Sequence, residues 1–309
     1  MKRAVLFVGQ GSQYTNMGID FLNNDKAENL INKATKILGY DIRKILENEN
    51  GELNNTLYTQ PIVALITIIM YERFLEYGID INGFLGFSLG EYVALYASGI
   101  YDFESIIRII DKRAKLMNEA STKNQGGMAA VLNANLSDIE RICNEVSKEN
   151  YVTIANYNSK NQIVISGTSL GIEQASKVLK ELGVKRVLPL NVSGAFHSNL
   201  MSEAGILLKT YLKSFKTNEN EKECFMNVTG KPLIYDELLD NMEQQIKSPV
   251  KFYQSIEEMI NNGYQEFIEI GPGNVLTQLI KKNYPEVKTF NINKLTDLEI
   301  LEGDGFNGK

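Results

Sequence analysis

Two segments of the chain fit the pattern G-x-S-x-G, Gly86-Phe87-Ser88-Leu89-Gly90 and Gly167-Thr168-Ser169-Leu170-Gly171. In strand-turn-helix contexts this pattern lifts a serine onto a sharp bend, with glycines on either side because side chains would clash there. The helix that follows aims partial positive charge and N–H groups at the serine oxygen. Such a serine is an acyl-transfer nucleophile once a base activates it. The pattern alone does not choose between the two copies. Ser169 sits before an ordinary amphipathic helix, where Ser169 or Thr168 reads as a cap. Ser88 sits in a more apolar unit, and this context favours it.

An activated serine needs an imidazole within hydrogen-bond reach, and the chain has one histidine, His197. It lies in Ser193-Gly194-Ala195-Phe196-His197-Ser198 after a strand. A lone histidine is more often an ordinary surface or core residue. Here the demand for a base near neutral pH favours a catalytic role, with a Lys or Asp base as the alternative. No acidic partner for the imidazole declares itself, and a backbone carbonyl could orient it. The tetrahedral oxyanion of acyl transfer needs two donors. The N–H of Leu89 is one natural donor. A second is available from the loop Gly9-Gln10-Gly11, whose glycines admit close backbone approach. This loop is not a G-x-G-x-x-G nucleotide loop, because position 14 is Tyr14.

The elements that must position these residues follow from the periodicity. Lys2 to Val8 reads as a short first strand. Helical patterns run from Phe21 to Leu46, and Pro61 is read as opening a helix over Ile62 to Tyr77. A buried strand, Ile81 to Phe87, leads to Ser88, and helices follow over Leu89 to Ser98 and Phe103 to Ala120. From Gly127 the rhythm changes to β-α-β-β-α-β, the ferredoxin-like order. The strands are Met128 to Leu132, Tyr151 to Asn156, Gln162 to Ser166 and Val184 to Val192. The helices are Ser137 to Glu149, with Ser137 as its cap, and Ile172 to Leu182. Helices over Leu200 to Phe215 and Val250 to Asn262 enclose a polar region, Asn218 to Asp240. A strand, Glu266 to Ile270, then leads through Gly271-Pro272-Gly273 into a helix ending at Asn283. The expected fold class is α/β, an α/β-hydrolase-like large subdomain (1–126 and 193–302) with an inserted ferredoxin-like small subdomain (127–192). A flexible tail at 303–309 completes the chain.

Composition narrows the function. The 309 residues are 43% hydrophobic and 23% charged, an ordinary globular balance. A net charge of −6 without a basic face disfavours nucleic acid. The longest apolar run is about half the roughly 18 residues a membrane span needs. The start is too short for a signal peptide h-region, so no membrane is expected as a partner and the cytoplasm is the expected location. Cys143 and Cys224 have no metal spacing and read as reduced structural thiols, so no metal is expected.

Seven segments then match one family in order: Gly9-Gln10-Gly11-Ser12-Gln13, Thr59-Gln60-Pro61, Gly86-Phe87-Ser88-Leu89-Gly90-Glu91-Tyr92, Lys112-Arg113, Gln162-Ile163-Val164-Ile165-Ser166-Gly167, Gly194-Ala195-Phe196-His197-Ser198 and Glu269-Ile270-Gly271-Pro272-Gly273. Along nearly its whole length the chain resembles the malonyl-CoA:acyl carrier protein transacylases and the acyltransferase domains of polyketide and fatty-acid synthases. The resemblance implies malonyl transfer from a coenzyme A thioester to an acyl carrier protein through a malonyl-serine. It implies Ser88 and His197 as a catalytic dyad, an oxyanion hole from the backbone N–H groups of Gln10 and Leu89, and the backbone carbonyl of Gln245 as the group that orients the histidine. Arg113, which alone would read as a surface charge, becomes a bidentate clamp on the malonyl carboxylate. Gln60, Phe87 and Phe196 are implied to line the substrate pocket, and the ring of Phe196 leaves little room for a 2-methyl branch.

No cofactor is implied beyond the substrates, malonyl-CoA and the phosphopantetheinylated carrier protein, and the acidic carrier protein would need a local basic patch. The chain departs from the family at Phe87, where His is usual, and at Val8, where Pro is usual. Side-chain preference or hydrolysis could therefore differ. A proofreading thioester hydrolase on the same scaffold is the nearest alternative, against which Arg113 argues. A non-catalytic carrier-protein docking module and a general esterase are the others. Whether the product serves fatty-acid or polyketide synthesis stays open at this level.

Overall fold

Two sheets organise the molecule in the computed structural model, which describes residues 1–302. Along the chain, β1 (Lys2–Phe7) precedes α1 (Asp25–Leu38), α2 (Ile42–Glu47), α3 (Thr56–Phe74), β2 (Gly83–Gly86), α4 (Leu89–Ala97) and α5 (Phe103–Lys123). Next come β3 (Gly126–Leu132), α6 (Leu136–Val146), β4 (Val152–Ser159), β5 (Gln162–Thr168), α7 (Ser169–Glu181) and β6 (Arg186–Pro189). The remainder is α8 (Ser202–Leu212), β7 (Glu223–Phe225), α9 (Leu238–Lys247), α10 (Phe252–Asn261), β8 (Tyr264–Ile270), α11 (Val275–Asn283) and β9 (Lys288–Ile292). The tail expectation for 303–309 lies outside the described residues. The chain divides into two compact units. Of the described residues, one holds 1–114, 215–226 and 259–302; the other holds 115–214 and 227–258.

The first unit contains a five-stranded parallel sheet in the order β7-β2-β1-β8-β9. β1 lies at its centre with Ala4 to Phe7 fully buried, as a strand covered on both faces must be. Phe7 packs edge-on against Tyr71 of α3, with ring centroids 5.3 Å apart. α3 is apolar all round and buried on nearly every face, the pattern of a helix inside a core. It starts earlier than Pro61 suggested. Asn55 caps it by accepting from the Leu57 N–H at 3.0 Å, and Pro61 lies inside, where its missing donor leaves one turn short of a bond. Glu269, buried in β8, accepts from the N–H groups of Leu276 (3.0 Å) and Thr277 (2.8 Å). A strand carboxylate thus caps the first turn of α11.

The second unit contains an antiparallel sheet in the order β4-β5-β3-β6. With α6 and α7 this is the ferredoxin-like arrangement expected from the pattern. Ile139, Ile142, Ile154, Ile163, Ile165 and Leu179 form its core. α6 starts at Leu136 after Asn135, so Ser137 is not the cap, and no side chain caps that end. Thr168 does cap α7, accepting from the Gly171 N–H at 3.1 Å. The last strand is shorter than expected, Arg186–Pro189. The fold class read from the residues holds: a parallel α/β unit and a separate ferredoxin-like sheet. Among the described residues no helix is long and apolar enough to cross a membrane.

Candidate active site

β1, β2 and β8 are adjacent and parallel, so their carboxyl ends present three loops side by side: Gly9-Gln10-Gly11, the Ser88 turn and Gly271-Pro272-Gly273. Ligands of open α/β sheets bind outside such strand ends. Glycines make the crowding possible. A Cβ at Gly86 would lie 1.9 Å from the Gly90 carbonyl carbon, and one at Gly90 would lie 2.1 Å from the Phe7 carbonyl oxygen. A Cβ at Gly9 would meet the Phe87 carbonyl at 2.6 Å, and one at Gly271 would meet the Val8 side chain at 2.5 Å.

Ser88 occupies the bend itself, with φ +51° and ψ −100°, a backbone region that non-glycine residues rarely adopt. α4 begins at the next residue, so the Leu89 N–H is among the first-turn donors that lack an intrahelical acceptor. The Gln10 side chain ties its loop to the start of α3 by donating to Thr56 Oγ1 at 3.1 Å, and Ser12 Oγ donates back to the Gly9 carbonyl at 2.8 Å.

Ser169, the other candidate, has none of this strain. It is the first residue of α7. The glycines around it serve packing: a Cβ at Gly167 or Gly171 would strike the Tyr151 carbonyl at 2.2 or 2.3 Å.

Arg113 is not the surface charge that its place in a helix suggested. Its side chain is 1% exposed and heads the largest fully buried ones. Its Nη2 donates to Ser88 Oγ at 3.3 Å, and its Nη1 donates to the Gln60 side-chain carbonyl. Gln60 is itself fully buried. The guanidinium carbon stands 4.9 Å from the centroid of the Tyr92 ring. A cation–π contact of this kind is worth about 2 kcal/mol when desolvated. Burial lowers the Arg113 pKa from its ordinary value, yet a guanidinium starts so high that it remains a cation. Burial likewise pushes the Tyr92 hydroxyl up to about 12, so that phenol is neutral. A permanent buried positive charge beside a serine hydroxyl is a receptor for a small anion.

In the second unit, His197 is 4% exposed and has φ +56°. Its Nδ1 lies 2.9 Å from the Gln245 carbonyl oxygen, and its backbone N–H donates to the Ile246 carbonyl at 3.0 Å. The Nδ1 contact with a carbonyl fixes a proton on that nitrogen and makes Nε2 the basic nitrogen of the neutral ring. Three residues past α9 the chain is held by the small sheet. Val250 donates to the Ala155 carbonyl at 2.8 Å and accepts from the Tyr157 N–H at 2.9 Å, along the edge strand β4. On the other side of the histidine, Gly194 passes so close to α5 that a Cβ would sit 2.1 Å from Ser121 Oγ. Ser198 Oγ closes the turn onto the Ala195 carbonyl at 2.6 Å. Phe196, next to the histidine, is 6% exposed.

Within the first unit the structure therefore gathers Ser88, Arg113 and Gln60, with Phe87 and Gln10 in the adjoining loops and Leu89 at the start of α4. Within the second it gathers His197, Phe196 and Gln245. Tyr92 is the residue that sequence reasoning passed over. It appeared only as context after Gly90, and its one signal was a position one helical turn beyond the nucleophile.

Residues 5–299 match the family model of the acyl transferase domain. A malonyl CoA-acyl carrier protein transacylase of Bacillus subtilis is 37% identical over 303 residues, covering 97% of this chain and 96% of the relative. The crystal structure of MCAT from Streptococcus pneumoniae superposes with a TM-score of 0.93 at 37% identity, over 97% of this chain and 99% of the other. A malonyl-transacylase solved with its type II PKS acyl-carrier protein gives 0.93 at 31% identity, again over 97% of this chain and 99% of the other.

Proposed function

The chain belongs to the acyl transferase domain family, and from that premise we propose that it moves malonyl from coenzyme A to the phosphopantetheine thiol of an acyl carrier protein. The observation that carries the reading is the buried Arg113 guanidinium 3.3 Å from Ser88 Oγ. A malonyl thioester places a free carboxylate one methylene from the carbonyl under attack. A cation at that spacing from the nucleophile receives it, and an acetyl group offers it nothing.

In the proposed first step Nε2 of His197 takes the Ser88 proton and Oγ attacks the thioester carbonyl. The N–H groups of Leu89 and Gln10 hold the oxyanion. His197 gives its proton to the departing coenzyme A thiolate, leaving malonyl-Ser88. In the second step His197 takes the proton of the carrier-protein thiol, the thiolate attacks the ester, and Ser88 Oγ leaves with that proton. Gln245 keeps the imidazole in the required tautomer throughout. Gln60 fixes the Arg113 fork, and Phe87 and Phe196 bound the acyl group. These steps use no metal and no redox cofactor. The exchange is between esters of similar energy, so keeping water from the intermediate matters more than driving force. We place the reaction in the cytoplasm, in fatty-acid or polyketide synthesis.

Rates with malonyl-, methylmalonyl- and acetyl-CoA for the parent and Arg113→Ala test the reading. The variant should lose about 100-fold in kcat/KM for malonyl-CoA, roughly the loss of a charge-assisted pair, and change little with acetyl-CoA. An unchanged malonyl preference would remove the clamp.

A further inference from the structure

The guanidinium of Arg113 ends a long, rotatable side chain, and what aims it is not settled by its charge. Gln60 and Ser88 contact its edge. Edge contacts alone leave the plane free to swing about the Nη1 to Nη2 line. The ring of Tyr92 adds a contact with the face, 4.9 Å from the guanidinium carbon. Tyr92 is fully buried and lies on α4 four residues after Ser88, one turn further along the helix. The nucleophile turn and the support of the cation are therefore parts of one rigid element. The Tyr92 hydroxyl is also near enough to the guanidinium for each group to shift the other's pKa, and Tyr92→Phe separates the ring's contribution from the hydroxyl's.

We propose that Tyr92 is a positioning residue for acyl selection, its π-face holding the Arg113 guanidinium in the plane that pairs with the substrate carboxylate beside Ser88. The inference rests on the reading of Arg113 as the carboxylate clamp. It assigns to the ring a role in which substrate is taken, beyond its part in the core.

The test is kcat/KM for malonyl-CoA and acetyl-CoA in the full-length protein, with variants at position 92 made in the parent and in the Arg113→Ala background. Tyr92→Phe keeps the ring and should stay within about threefold of the parent on malonyl-CoA. Tyr92→Leu should lower malonyl-CoA kcat/KM by about tenfold or more, mainly through KM, and acetyl-CoA by much less. In the Arg113→Ala background the same change should have no further effect on selectivity, the signature of a shared function. Pentafluorophenylalanine at position 92 keeps the shape and reverses the ring's quadrupole. It should reproduce the loss seen with leucine, and it keeps the test decisive if the leucine variant does not fold. Equal losses on both substrates, or an unchanged malonyl-to-acetyl ratio with the fluorinated ring, would overturn the proposal. An Arg113→Ala protein that retains malonyl preference would instead overturn the clamp reading on which it stands.

Discussion

Ser88 and His197 both hold φ values above +50°, and Arg113 is a buried charge. Each is a state its residue type resists, at about 1–3 kcal/mol for a strained backbone, and each coincides with a group the proposed chemistry needs. Ser88 and His197 could be read from the residues because acyl transfer demands a serine on a bend and an imidazole, and the chain has one imidazole. Arg113 could not be read that way: its burial depends on a partner ring and a glutamine far away in sequence, and periodicity carries no trace of either. Glu269 is a similar case outside the reaction. Burial raises its carboxyl pKa against the lowering effect of its contacts with Thr277 and Leu276. The folded state therefore binds more protons than the unfolded state between the ordinary and the raised value, and stability falls as pH rises through that window. Urea unfolding across pH 4 to 7 should show this slope in the parent. Glu269→Gln, which cannot titrate, should lose the slope while costing about 1 kcal/mol for the N–H it no longer serves.

At the scale of elements, the site is an arrangement of strand ends. The Ser88 turn exists because Gly90 lets α4 descend to within a Cβ radius of the β1 carbonyls. Gly90→Ala should destabilise the protein by about 3 kcal/mol or more, measured by chemical denaturation, and should impair acyl transfer beyond that loss by displacing the elbow. A change of less than about 1 kcal/mol would show that the turn has room the structure denies it.

The elements that sequence reading missed were short or half-buried. β7 has three residues, and β9, Lys-Thr-Phe-Asn-Ile, is mostly half-exposed at the sheet edge, so neither carries a clear alternation. α9 was legible in principle: Leu238, Met242 and Ile246 recur every fourth residue and are buried, but the polar residues between them masked the stripe. Pro61 misled because a proline inside a helix is the costlier reading; the Asn55 cap six residues earlier was the better signal.

For the whole molecule, the pattern of two sheets was visible because parallel and antiparallel units have different rhythms. The division of the chain was less so, since α8 and α9 group with the antiparallel sheet in space although the sequence runs on past it. Each unit carries one free, buried cysteine, Cys143 in the second and Cys224 in the first. Burial pushes the Cys143 thiol up to about 12 and the Cys224 thiol higher. Little thiolate is therefore available in the folded protein. Neither should react with iodoacetamide under native conditions, and each should label as its own unit opens in denaturant. Peptide mapping of the alkylated sites checks this, and rapid native labelling of either would contradict the burial.

The central claim is a covalent malonyl-Ser88 that hands its acyl group to a carrier thiol. Intact-protein mass spectrometry with malonyl-CoA, followed by peptide mapping, tests it directly. One malonyl group should appear on the peptide containing Ser88, persist in buffer, and move to phosphopantetheinylated carrier protein on mixing; Ser88→Ala should show none. An adduct on another residue, its formation without Ser88, or its loss to water as fast as to carrier protein would contradict the account.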